Sequence, residues 1–215
     1  MNFDLFSIFK LVPAAIIGLT VHEFAHAYTA YLLGDSTAKE DGRLSLNPLK
    51  SIDPLGFILI VTAGFGWAKP VTINPDNLKK KHRDEILISL AGPFSNLILG
   101  FLFFLIARIL FFFSYFHSTH LGGEFVNLFG LWGVINLTLF FFNLIPIPPL
   151  DGSHLYMTFL KKVNAKVIGN LYKYGIVLLI VVLLIESQFQ IEILPISKLV
   201  DAMTGFMVQL LGFGS

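Results

Sequence analysis

The order of apolar and polar positions divides the chain into long apolar runs joined by charged connections. Leu5 to Leu33 reads as a first membrane helix, with Pro13 placed to kink it or end its first turn. Ile86 to Phe113 is a second span, longer than a bilayer needs and so expected to tilt. Phe125 to Leu150 is a third. Gly175 to Ile185 is a fourth apolar segment, extendable back to Val167 only across Lys173. Leu194 to Phe213 is weakly amphipathic, with Lys198 and Asp201, and suits either the membrane interface or a cover over the core. The long polar connection runs from Gly34 to Glu85 and opens as a loop or strand-and-turn passage. Inside it, Pro54 to Trp67 is apolar but short and punctuated by Gly, so a re-entrant loop or membrane-dipping hairpin fits better than a span. Leu78 to Glu85 reads as a solvated, mostly basic juxtamembrane run. The pattern predicts an all-α polytopic membrane protein of about four transmembrane helices, with a re-entrant loop or β-hairpin after the first.

Composition sharpens this. The 215 residues are 55% hydrophobic and 13% charged, with 23 Phe, and the mean hydropathy is +0.75. A soluble domain carries about twice that charged fraction. A net charge of +1 argues against a nucleic-acid partner. Cysteine is absent, which excludes disulfides and thiolate-held metal and leaves His, Asp and Glu as ligands. Met1-Asn2-Phe3-Asp4 lacks the basic start of a signal peptide, so the first segment is expected to be retained. Lys and Arg gather in Lys39–Arg83 and Lys161–Lys173 and are missing from Ser114–Glu124. By the positive-inside rule the first two regions face the cytoplasm, and the N-terminus and the Ser114–Glu124 loop face outside.

The candidate chemistry lies inside the first apolar run. His22-Glu23-Phe24-Ala25-His26 is an H-E-x-x-H pattern. Residues four apart share a helix face, so His22 and His26 can turn two imidazoles towards one metal ion, with Glu23 beside them. Ionisable groups at membrane depth cost a few kcal/mol each, which makes them functional candidates. The third run ends Asn143-Leu144-Ile145-Pro146-Ile147-Pro148-Pro149-Leu150-Asp151-Gly152-Ser153-His154, and its prolines cannot stay helical. Unwound backbone at membrane depth requires a protein or water-filled surround, so Pro146–Pro149 is where water access is expected. Asp151 there is a candidate third ligand; its other reading is a helix N-cap. Gly92 and Pro93 open Ser89-Leu90-Ala91-Gly92-Pro93-Phe94-Ser95-Asn96, where Asn96 is read as an interhelical hydrogen-bonding group. Intramembrane His, Glu and Asp also build metal or proton transporters, and a non-catalytic scaffold could close a structural zinc with His154 as fourth ligand.

These stretches together resemble the site-2 protease family of intramembrane zinc metalloproteases, peptidase family M50. The resemblance rests on His22-Glu23-Phe24-Ala25-His26, Ala91-Gly92-Pro93-Phe94-Ser95-Asn96 and Asn143 to Gly152, and covers about Leu11 to His154. Gly66-Trp67-Ala68-Lys69-Pro70-Val71 also resembles a turn of the small bacterial members without PDZ or CBS domains. The resemblance implies one Zn2+ per chain held by His22, His26 and Asp151, Glu23 as general base, and Asn143 holding substrate or stabilising an oxyanion. It implies a single membrane-embedded metalloprotease domain over residues 1–215, with a catalytic core at about 5–154 and C-terminal helices at 155–215. The implied activity is cleavage of peptide bonds in or near transmembrane segments of other membrane proteins, in the bacterial inner membrane, with the active site towards the cytoplasm. Many members have Asn where this chain has Leu150. Phe57 to Trp67 is expected to pair with substrate by strand addition. Self-association or a regulatory membrane partner is left open.

Overall fold

The computed structural model describes residues 5–63, 66–160 and 165–212. Met1–Asp4, Gly64–Phe65, Lys161–Lys162 and Phe213, which enter the sequence reading, lie outside those residues. The fold is helical throughout: α1 Leu5–Leu32, α2 Thr37–Glu40, α3 Pro48–Ser51, α4 Pro54–Ala63, α5 Lys81–Phe112, α6 Ser114–Ser118, α7 His120–Asn143, α8 His154–Leu160, α9 Ala165–Phe189 and α10 Ile196–Leu210. Four of these are long and apolar enough to cross a membrane: α1, α5, α7 and α9. Helices suit that solvent because every backbone N–H and C=O is satisfied within the segment. α5 and α7 pair most extensively, and α1 lies against both.

α5 begins at Lys81, so part of the expected juxtamembrane run is its first turn. Asp84 Oδ2 accepts from the Lys80 N–H at 2.8 Å, while Lys79, Lys80, Lys81 and Arg83 stay exposed. α7 stops at Asn143, and the chain is unwound through the prolines to Leu150. α10 covers the core: Val200 and Met207 are buried against Phe104 of α5 and Leu137 of α7, with Ile196 and Met203 on the same face. α9 exposes Ile176, Val177, Ile180, Val181 and Leu184. Its close approach is at Gly175, whose missing side chain leaves room for the Pro148 carbonyl.

The expected β-hairpin after α1 is corrected. Residues 54–63 form α4, and the only strand-like feature among the described residues is an isolated antiparallel bridge between Ile52 and Ala68. The cause is local. Asp53 Oδ1 accepts from the N–H groups of Leu55 at 3.0 Å and Gly56 at 2.9 Å, and Pro54 supplies the fixed φ of a first helical residue. Because the backbone of 57–63 is spent within a helix, the strand addition expected of Phe57–Trp67 is not available over that stretch. Gly56 lies so close to the Trp67 backbone that no side chain fits between them. Ile60 and Ala68 then pack with Ala15 and Leu19 of α1.

Asp35, fully buried just beyond α1, holds this connection in place. Its Oδ1 accepts from the Thr37 hydroxyl at 2.6 Å and the Asn77 amide at 2.8 Å, and its Oδ2 accepts from the Asn74 N–H at 2.7 Å. Burial pushes the Asp35 pKa up, but these hydrogen bonds, with one from the Thr37 N–H, outweigh it and hold the carboxyl below its ordinary value of 3.8. A pKa lower in the folded state contributes stability that is complete above the unfolded value and is lost as pH falls through the folded one. Amide exchange at Asn74 and Asn77 is therefore expected to stay slow at pH 5 and to quicken only below the ordinary aspartate range. In Asp35→Asn it should already be fast at neutral pH; equal protection in the two proteins at pH 7 would contradict this role.

Candidate metal centre

Each candidate ligand is delivered by a different kind of local order. One turn of α1 stacks His22 over His26, both buried. Asp151 comes from the other side, as the first residue of a short 3-10 turn, Asp151–Ser153, after the unwound prolines. Ser89 of α5 pins that turn by donating its hydroxyl to the Asp151 carbonyl at 2.7 Å. Gly152 lies against the Leu144 carbonyl with no room for a side chain. The N-cap reading of Asp151 is not realised: its side chain caps no helix and points at the two imidazoles.

The three ligand atoms converge. His22 Nε2 and His26 Nε2 are 2.9 Å apart, and Asp151 Oδ2 is 3.0 Å from the first and 3.4 Å from the second. Tetrahedral zinc with bonds of about 2.0–2.1 Å separates its ligands by roughly 3.3 Å, so the three atoms stand close to the spacing zinc requires. Among the described residues, this is the group of His, Asp and Glu side chains able to share an ion. Their hydrogen-bond partners orient them for it. His26 Nδ1 lies 2.7 Å from the Ile88 carbonyl, which can only accept, so Nδ1 carries a proton and Nε2 is the atom turned to the centre. His22 Nδ1 lies 2.7 Å from Asn96 Oδ1. The Asn96 amide nitrogen donates to the Gly18 carbonyl at 3.0 Å and to Asn136 Oδ1 at 3.1 Å, so its oxygen is the atom left for His22. Asp151 Oδ2 is buried without a hydrogen-bond donor. Two ring nitrogens and a carboxylate oxygen thus face one point, and a cation there would be shared by all three. The donor set of two imidazoles and one carboxylate suits zinc.

Space for the ion depends on Gly92. A Cβ there would stand 2.6 Å from His22 Nε2 and closer still to His26 Nε2. Glu23 is buried on the same turn of α1 as His22 and His26. Arg43 is itself largely buried and donates to the carbonyls of Lys69 and Pro70, which fixes the Gly66–Pro70 turn.

Other candidates fall elsewhere. Asn143 closes α7, half-buried, and its amide donates to the Leu139 carbonyl at 2.9 Å. His154 turns away from the ligand group, with Nε2 3.4 Å from the Tyr172 hydroxyl, so the closed four-ligand site does not form. Asn96 does make interhelical hydrogen bonds as read, but one of its partners is a metal-ligand candidate. Asn136, Ser89 and Arg43 were missed. The signal for Asn136 was present: it is a lone amide in the apolar run Trp132 to Phe142.

The profile of peptidase family M50 matches residues 112–187. YwhC of Bacillus subtilis is 46% identical over 145 residues, 67% of this chain and 66% of its own length. Rip2 of Mycolicibacterium smegmatis is 30% identical over 183 residues, 82% of this chain and 68% of its own length. MJ0611 of Methanocaldococcus jannaschii is 37% identical over 102 residues, 46% of this chain and 47% of its own length. Each of the three names gives zinc metalloprotease as a provisional assignment. No solved structure is a significant match. On the similarity to Rip2, which this chain covers across two thirds of its length, and on the M50 profile match, the chain is a multi-pass membrane protein that belongs to peptidase family M50, the site-2 protease family.

Proposed function

We propose that this protein is an intramembrane zinc metalloprotease that hydrolyses peptide bonds in or near the transmembrane segments of other membrane proteins. The observation that carries the reading is the meeting of three candidate ligand atoms, from His22, His26 and Asp151, among helices long enough to span a bilayer. One zinc per chain, held by these residues, supplies Lewis acidity towards a peptide carbonyl and makes a water easier to deprotonate. Glu23 accepts the proton of the attacking water and passes it to the leaving nitrogen. Asn143, at the end of α7, holds the substrate backbone or donates to the developing oxyanion. The unwound 144–150 segment admits water and accepts a locally unwound substrate, since a helical peptide bond hides its carbonyl. Residues 1–215 act as one membrane-embedded domain, with a catalytic core at about 5–154 and C-terminal helices at 155–215. The distribution of Lys and Arg supports an active site towards the cytoplasm, and the family resemblance supports a place in the bacterial inner membrane.

Elemental mass spectrometry of the detergent-purified chain tests the centre. Wild type and Glu23→Gln are expected to carry about one zinc per chain, and His26→Ala and Asp151→Ala to carry far less, since each removes one of three protein ligands. A zinc-free wild type, or full zinc in Asp151→Ala, would sink the reading, and metal flux in liposomes would then be measured instead.

A further inference from the structure

A chain of hydrogen bonds runs from α7 through α5 to the first ligand on α1, and it has a direction. At its root is the Trp132 carbonyl, which can only accept. Asn136 donates to it through Nδ2 at 2.9 Å, and this leaves the Asn136 Oδ1 as an acceptor. That oxygen takes a bond from Asn96 Nδ2 at 3.1 Å, while the Gly18 carbonyl takes the second Asn96 donor at 3.0 Å. Asn96 Oδ1 therefore faces His22 Nδ1, at 2.7 Å. A reversed Asn96 amide would present N–H to His22 Nδ1, move the ring proton to Nε2, and block the lone pair that a metal needs. Both Asn96 and Asn136 are fully buried, so no water competes for these bonds. Gly18 makes the junction sterically feasible, because a Cβ there would stand 2.8 Å from Asn136 Oδ1.

We propose that Asn136 is a positioning residue for metal binding: through Asn96 it holds His22 in the Nδ1–H tautomer, with Nε2 open to the ion. The Asn136 side chain bonds to Asn96 and Trp132 and to none of the ligand atoms. It acts by making the Asn96 amide energetically one-way, since a flip would set carbonyl oxygen against carbonyl oxygen at both Asn136 and Gly18. The proposal rests on the reading of His22 as a zinc ligand. Its first consequence, the tautomer, exists without metal.

The test uses the full chain in detergent, with two measurements. Histidine 15N NMR of the metal-free protein, with His22 assigned by loss of its signals in His22→Ala, reports the tautomer. Competition with a chromogenic chelator reports the zinc Kd. Wild type should show His22 as the Nδ1–H tautomer alone. Asn136→Leu lacks both polar ends. Asn136→Ser keeps a hydroxyl that can bond back to Trp132, as Thr138 does to Val134 at 3.0 Å, but falls short of Asn96. In both, the Nε2–H tautomer should appear and zinc should bind about tenfold more weakly, the lower end for the loss of an outer-shell partner. Asn136→Asp is the rescue. Burial favours its neutral form, whose O–H donates to Trp132 and whose carbonyl accepts from Asn96, so tautomer and zinc Kd should match wild type. Folded Asn136→Leu or Asn136→Ser protein with wild-type tautomer and zinc Kd overturns the proposal. A wild type that binds no zinc removes the functional reading above, and the tautomer arm still decides this one.

Discussion

Replacing Glu23 by Gln is expected to lower peptide cleavage by about 10²- to 10⁴-fold, the range for removal of a general base, while zinc stays at about one per chain. Gln keeps the shape of Glu and its place on α1, one residue round from His22. It removes the only feature the proposed step requires, a carboxylate able to take a proton. The ligand atoms are untouched, because Glu23 is not among the three that meet at the centre. Cleavage of tagged transmembrane segments co-reconstituted in proteoliposomes, read at single turnover beside metal content, measures both quantities on one preparation. Cleavage within about threefold of wild type would remove Glu23 from the chemistry. The comparison also separates hydrolysis from ion transport, in which Glu23 has no privilege over the ligands.

The Gly92→Ala protein is expected to fold and yet bind zinc at least about 100-fold more weakly, the upper end for loss of an outer-shell partner, because here the ligands themselves must move. The added methyl would lie within van der Waals contact of both Nε2 atoms, 2.6 Å from that of His22. Neither ring can swing aside freely. His22 is held at Nδ1 by Asn96 and His26 by the Ile88 carbonyl, each at 2.7 Å, so displacement breaks a buried hydrogen bond as well as the ligand spacing. In a helix interior Ala is otherwise better than Gly by up to about 1 kcal/mol, so thermal unfolding of the metal-free protein need not fall. Gly130→Ala is the control: it too lies in a long helix, and nothing stands within 4 Å of its Cβ position. Zinc competition on the three proteins decides the matter. Equal affinity in Gly92→Ala and wild type would mean that Gly92 does not bound the ion's space.

Much of the site was legible because its signals are local. Two imidazoles four residues apart on one helix, in a run too apolar to hide them idly, point to a metal from sequence alone. The prolines at 146, 148 and 149 end a helix whatever surrounds them, and α7 does stop at Asn143. Where the hairpin alternative fails, a local signal decides it. Pro54–Trp67 reads as a re-entrant loop or hairpin because a short apolar run has no decisive period, but Asp53-Pro54 is a helix start, and the structure uses it as one over Pro54–Ala63 where a hairpin would need strands.

The sequence by itself determined the membrane class, the four apolar spans, the candidate ligand types and the break before Asp151. Hydropathy, side-chain chemistry and proline geometry act over a few residues and need no partner. Tertiary structure alone decided that Asp151 meets the imidazoles instead of capping a helix, that His154 faces Tyr172, and that α10 lies on Phe104 and Leu137. It alone also put Asn136 behind Asn96 and Gly92 beneath the ligands. Each of these depends on which helix faces meet across tens of residues, and hydrogen-bond direction and steric room at such a junction belong to the pair and to neither segment alone.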